Sequence, residues 1–131
     1  MDRPDVIADY FRRQYDTKEG TSAENVEGLF SEDLVFHLTG DKVMGREHLI
    51  SLCDLLRRTR HDQATMVSHF SEEGDVVSFV LHVVGTDPVS GHEVALSTRT
   101  KYRFEGDKVV EVWQDNPASV EEAVRASGVR L

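Results

Sequence analysis

The clearest alternation of apolar and polar positions runs from Val94 to Asp115. Val94, Leu96, Thr98, Thr100, Tyr102 and Phe104 fall on one side of an extended chain, and Glu93, Ser97, Arg99, Lys101 and Arg103 on the other. That period of two predicts a long strand with one buried face. Glu105-Gly106-Asp107-Lys108 supplies a glycine-containing turn, and residues 109–115 return as a second strand until Asn116-Pro117 stops it. A hairpin this apolar on one side needs a cover, and the polar atoms within its apolar face mark where a site belongs.

The preceding chain supplies the cover. Pro4 suits a first helical turn, and Val6, Ile7, Tyr10, Phe11, Gln14 and Tyr15 recur at helical spacing, predicting a helix from residue 4 to about 16 that Thr17-Lys18-Glu19-Gly20 breaks. Thr21 and Glu24 have capping-box spacing before a short helix carrying Val26, Leu29 and Phe30, expected to end near residues 31–33. Residues 34–39 are rich in strand formers and stop at Gly40-Asp41. Leu49, Ile50, Leu52, Cys53 and Leu56 form one stripe of a third helix over residues 46–58, whose Arg57-Arg58 suits the negative end of the helix dipole.

Two further strands are predicted at about residues 63–71 and 75–85, and the second, Val76 to Val84, is apolar on both faces. One face meets the helices; the other needs more of this chain or a second copy, which predicts a homodimer through the outer face of the sheet. Turn chemistry at residues 86–91 leads back to the long strand, and Val120, Ala123 and Val124 suggest a short C-terminal helix within residues 119–129. The order helix, helix, strand, short extension, helix, then four antiparallel strands reads as an α+β class in one domain over residues 1–131, with a curved antiparallel sheet wrapped around N-terminal helices. Such curling leaves a cone with a mouth, where pockets form.

Composition narrows the function. With 15 Lys+Arg against 24 Asp+Glu, the formal charge is −9, so nucleic acid and anionic membranes are poor partners. Cys53 is the single cysteine, which excludes an internal disulfide, and no apolar run approaches a bilayer span; a cytoplasmic protein is expected. His48, His61, His69 and His92 lack the paired spacing of metal sites, and no glycine-rich phosphate loop or Gly-x-Ser-x-Gly elbow is present. Neither metal nor cofactor is expected, leaving side chains alone to do any chemistry.

The run Leu29-Phe30-Ser31-Glu32-Asp33-Leu34-Val35-Phe36-His37-Leu38-Thr39-Gly40, then Gly45-Arg46-Glu47, Gly74-Asp75-Val76-Val77 and Gly106-Asp107-Lys108-Val109-Val110-Glu111-Val112-Trp113, resembles the nuclear transport factor 2-like superfamily. Within it the chain is most similar to the SnoaL-like polyketide cyclases and the ketosteroid isomerase group. The resemblance implies a cone-shaped, cystatin-like α+β barrel. Position by position, it implies that Tyr10 donates to a substrate oxyanion, that His37 stands where the isomerases keep their carboxylate base, and that Thr100 stands where they keep a protonated acid. It also implies that Trp113 walls the pocket and that Asp115 lies near an acidic residue of cyclases and limonene-type epoxide hydrolases.

Each residue also has a plainer reading. His37 is a titratable group in an apolar strand, suited to proton transfer, but strand parity groups it with Val35 and Thr39, opposite the more apolar Leu34, Phe36 and Leu38. Asp115 at a pocket rim would be a general acid or base; before Asn-Pro it is equally turn chemistry. Tyr10 needs a partner for its hydroxyl wherever its ring is buried, and Thr98 and Thr100 must each find a hydrogen bond or a ligand. His82, inside an apolar strand, faces either cavity or partner subunit. Two functions follow: a cofactor-independent acid–base enzyme (isomerase, cyclase or ring-opening type) acting on an apolar carbonyl- or epoxide-containing molecule, or a non-catalytic ligand-binding or dimerisation module. In the first, His37, Asp115 and Tyr10 are catalytic and Trp113, Thr100, Thr98 and His82 contact substrate.

Overall fold

A computed structural model describes residues 2–59, 62–86 and 90–115, apart from the side chain of Val94. The expected helix within residues 119–129 and the centre of the turn at residues 86–91 lie outside the described residues. Asp2 caps helix α1 (Arg3–Phe11), its carboxylate accepting the Asp5 amide at 2.9 Å. The helix then widens into a π-helical turn, Arg12–Asp16, closed by the Thr17 amide on the Arg12 carbonyl at 2.8 Å. Lys18, at φ 54°, and Gly20 reverse the chain. Thr21 caps α2 (Ser22–Leu29), accepting the Glu24 amide at 3.1 Å, as the capping-box spacing predicts.

Strand β1 (Phe30–His37) follows α2 without a loop and starts earlier than the strand formers indicate, because Phe30 already pairs with Val109. A short hairpin leads to β2 (Val43–Met44), and α3 (Arg46–Thr59) then buries Leu49, Leu52 and Cys53. Strands β3 (Ala64–Glu73), β4 (Val76–Thr86), β5 (Glu93–Glu105) and β6 (Lys108–Gln114) form an antiparallel meander. The six strands make one sheet in the order β2-β1-β6-β5-β4-β3. It is curved but unclosed, and its one parallel pair is β1 with β6. The architecture is α+β, as expected.

Three irregularities interrupt the sheet, one of them between Phe30 and Val35, where β1 carries more residues than β6 opposes. Between Ser68 and Ser71, β3 carries one residue more than β4 opposes, and His69 there adopts φ 57°, a conformation costly for any residue with a Cβ. Between Arg103 and Phe104, β6 carries the extra Val110. On the concave side lies a closed circuit of aromatic contacts: Phe79–Tyr102 at 4.9 Å between ring centres, Tyr102–Phe30 at 5.5 Å, Phe30–Tyr10 at 5.3 Å, Tyr10–Phe11 at 5.1 Å and Phe11–Phe79 at 6.2 Å. Most of these rings meet edge to face, the favoured arrangement for their quadrupoles. None of the described helices is long and apolar enough to cross a membrane.

Phe79 is fully buried and touches rings from α1, β3 and β5, so its loss leaves a void that several elements share. Phe79→Ala is expected to lower the unfolding free energy by about 3–5 kcal/mol, read from urea denaturation.

Candidate functional site

Strand pairing decides which residues reach the concave side. Phe36 lies opposite Val112, which lies opposite Tyr102, itself opposite Val77; all four are buried and face the helices. Their neighbours in each strand point away. The concave side encloses a hollow of about 110 Å³ between α1, the π turn, α3 and the sheet. Its floor is formed by Tyr10, Phe11, Phe30 and Tyr102 of the aromatic circuit, and its walls by Phe36, Met44, Leu49 and Leu52. The half-buried Leu56, Thr65, Leu81, Val83 and Leu96 mark its mouth.

Polar groups in this apolar lining are few. The Tyr15 hydroxyl donates to Cys53 Sγ at 3.2 Å, and the Tyr10 hydroxyl shares a hydrogen bond with the same sulfur at 3.5 Å. Burial raises the pKa of both Tyr10 and Cys53, so both are neutral at physiological pH. Thr98 lines the hollow, and its hydroxyl lies 3.4 Å from that of the buried Thr100. Gln63 and Gln114 also line it, and the side-chain oxygen of each is buried with no hydrogen-bond partner among the described residues. An unpaired buried acceptor costs about 1–3 kcal/mol. Among the described lining residues there is neither a carboxylate nor an imidazole.

His37, Trp113, Asp115 and His82 lie on the opposite, outer face, which corrects the expectation that they meet Tyr10 in one pocket. The reason is parity: His37 follows the inward Phe36, and Trp113 follows the inward Val112. The imidazole of His37 stacks on the Trp113 indole with 5.5 Å between centres and 9° between planes. Its Nε2 lies 2.6 Å from Glu111 Oε2; a carboxylate only accepts, so this nitrogen carries the proton. Glu111 also accepts from Arg103 at 3.1 Å. The hydrogen bond from His37, aided by the one from Arg103, holds the Glu111 carboxyl below its ordinary pKa against partial desolvation.

Asp115 takes the plainer of its two readings. Its carboxylate accepts the Arg99 amide at 3.0 Å while its own amide donates to the Arg99 carbonyl at 3.0 Å, closing the end of the β5–β6 ladder. His82 bridges strands, with Nδ1 at 2.6 Å from Ser97 Oγ and Nε2 at 3.4 Å from Ser68 Oγ, which in turn meets His69 Nδ1 at 2.8 Å. Of the residues singled out from the sequence, Tyr10 and Thr98 reach the hollow and Thr100 lies buried beside it. Sequence reasoning passed over Tyr15, Cys53, Gln63 and Gln114. Gln114 was open to discovery, since it shares the parity of Val112; Tyr15 reaches Cys53 alongside Tyr10 only through the π turn.

Among the described residues no group of three or more histidine, cysteine, aspartate or glutamate side chains is placed to hold a metal. No curated protein matches the chain. Among solved structures, it is similar to IdmH, a candidate polyketide cyclase from Streptomyces antibioticus, at 19% identity with 96% of this chain and 98% of that one covered and a TM-score of 0.71. It is also similar to a candidate SnoaL-like polyketide cyclase from Jannaschia at 17% identity, covering 97% and 92%, TM-score 0.71. A protein of ketosteroid isomerase-like fold from Catenulispora acidiphila matches at 16% identity, covering 97% and 95%, TM-score 0.70. These likenesses concern the fold. The family model of the SnoaL-like domain matches residues 11–112, and the chain therefore belongs to the SnoaL-like family.

Proposed function

We propose that this protein binds a small apolar molecule, or the ring of a larger one, in the concave hollow. One observation carries the reading: a preformed apolar cavity whose described lining bears hydroxyl, thiol and carboxamide groups but no group that titrates near neutrality. Apolar cavities of about 150 Å³ take up benzene, so about 110 Å³ with a partly exposed mouth suits a single ring. The acid–base scheme built on His37 loses its support, since the residues meant to cooperate stand on two faces of the sheet.

A second, catalytic reading rests on a different observation. The Tyr10 and Tyr15 hydroxyls converge on one sulfur, a weak hydrogen-bonding partner, so a substrate carbonyl entering the hollow would meet two hydroxyl groups held close together. This is the geometry an isomerase, cyclase or ring-opening enzyme uses to stabilise an enolate or alkoxide, with the base supplied from outside the described lining.

The outer face calls for a second copy of the chain. Among the described residues, all four exposed large hydrophobic ones, Val35, Val43, Met66 and Val84, share that face with the partly exposed Trp113. It carries Arg99, Lys101 and Arg103 on β5 and Glu111 and Asp115 on β6, a mixture of signs that a two-fold partner can match against itself.

Three outcomes test these proposals. Toluene titrated into the protein is expected to shift backbone amide resonances around the hollow saturably, and Val83→Trp, which fills the mouth, to weaken binding about tenfold or more; resonances that stay put overturn the binding reading. Sedimentation at micromolar concentration is expected to show a dimer that Met66→Asp converts to monomer. Glu111→Gln is expected to destabilise the fold at neutral pH. Because the folded-state pKa of Glu111 is depressed, its contribution is complete above the ordinary carboxylate pKa and lost as pH falls through the lower folded value. Melting curves of parent and variant should therefore converge in acid.

A further inference from the structure

The hollow is lined by two carboxamides whose buried oxygens find no hydrogen-bond partner among the described residues. Gln63, 7% exposed, precedes β3 at the mouth, and Gln114 sits at the end of β6 opposite Thr100. Both line the cavity, and both side-chain oxygens are shut off from solvent without a partner. Their surroundings show that such groups are elsewhere supplied. Gln14, fully buried, gives its amide to Ser22 Oγ at 2.9 Å and takes the Asn25 amide on its oxygen at 3.0 Å. A fold that saturates one glutamine and leaves the oxygens of two others, both lining one cavity, without a partner leaves a hydrogen-bonding need that something entering the cavity can meet.

We propose that Gln63 and Gln114 are the specificity-determining residues of the hollow and that its ligand is a hydroxylated apolar molecule, a phenol or an alcohol on a hydrocarbon frame. This rests on the binding reading above and adds the chemical class of the ligand. A hydroxyl is the group that fits. It donates to a carboxamide oxygen and equally accepts from a carboxamide NH₂, so it satisfies the side chain whichever way the amide is turned. A ketone or ether offers no hydrogen to an oxygen, and a carboxylate would face two acceptors and, among the described lining residues, no cation. The hydroxyls of Tyr10 and Tyr15 already have a partner in Cys53, whereas the two carboxamide oxygens have none.

Toluene and phenol make the discriminating pair, because a methyl and a hydroxyl occupy nearly the same space on the same ring. A cavity without polar partners favours toluene, since burying an unpaired hydroxyl is unfavourable. In the native protein, phenol is expected to bind at least as tightly as toluene, and about fivefold tighter where a hydrogen bond to one glutamine forms. In Gln63→Leu combined with Gln114→Leu the order is expected to reverse, with toluene affinity kept or raised; the single variants identify which carboxamide takes the hydroxyl. Both affinities are read by the same amide-shift titration, and circular dichroism verifies the fold. Toluene binding tighter than phenol in the native protein overturns this inference while leaving the hollow a binding site. A phenol preference that survives the double substitution assigns the recognition to Tyr10, Tyr15 or Thr98 and also overturns it. Failure of both probes to bind overturns the binding reading and this inference together. The native comparison needs no variant and stands if the substitutions prevent folding.

Discussion

Everything about where chemistry can occur in this protein follows from the register between β1 and β6. Phe36 lies beside Val112, and a strand turns its side chains to alternate faces, so His37 and Trp113 are committed to the outer surface as firmly as their neighbours are to the core. A slip of one residue would exchange the two sets and bury an ion pair in place of a phenylalanine. The aromatic circuit holds the start of β1, where Phe30 meets Tyr10 and Tyr102 beside Val109, and past the irregularity before Val35 the burial of Phe36 beside Val112 opposes the slip. The hollow and the His37–Glu111–Trp113 cluster are in this sense products of one constraint, seen from its two sides.

Most of the architecture was legible in the chain. The alternation from Val94 to Phe104 located β5 and its buried threonines, and the Thr21–Glu24 spacing located the start of α2. The two-sided apolarity of β4 pointed to an outer face that is not purely polar, and Met66 and Val84 are exposed there. The family resemblance read from the serial order of the motifs is the family that residues 11–112 match. Strand boundaries were less legible where long-range pairing overrides local preference. Ser31, Glu32 and Asp33 are poor strand formers, yet they sit between Phe30 and Val35, each anchored to β6.

The site was legible only in part, for a physical reason. Single-residue chemistry ranks histidine and aspartate above glutamine, and the resemblance drew attention to positions by likeness of place in the sequence. Neither reports which face of a strand a side chain occupies. Parity does, and it had already set His37 apart from Leu34, Phe36 and Leu38. Gln63 had no periodic signal at all, as it precedes β3, and Cys53 read as one more apolar position on the stripe of α3. What distinguishes these residues is an unmet or shared hydrogen bond, which only three-dimensional neighbours define.

Gln14 gives the helical layer a property that apolar packing alone would not. Its carboxamide ties the π turn to two other helices, through Ser22 at the start of α2 and Asn25 one turn later, and through the Cys53 carbonyl of α3 at 3.5 Å. Apolar surfaces slide over one another at little energetic penalty, whereas directional bonds around a solvent-free amide fix both angle and translation. The helical layer over the cavity is accordingly braced from within by directional bonds, and Tyr15 and Cys53 hold their places in it.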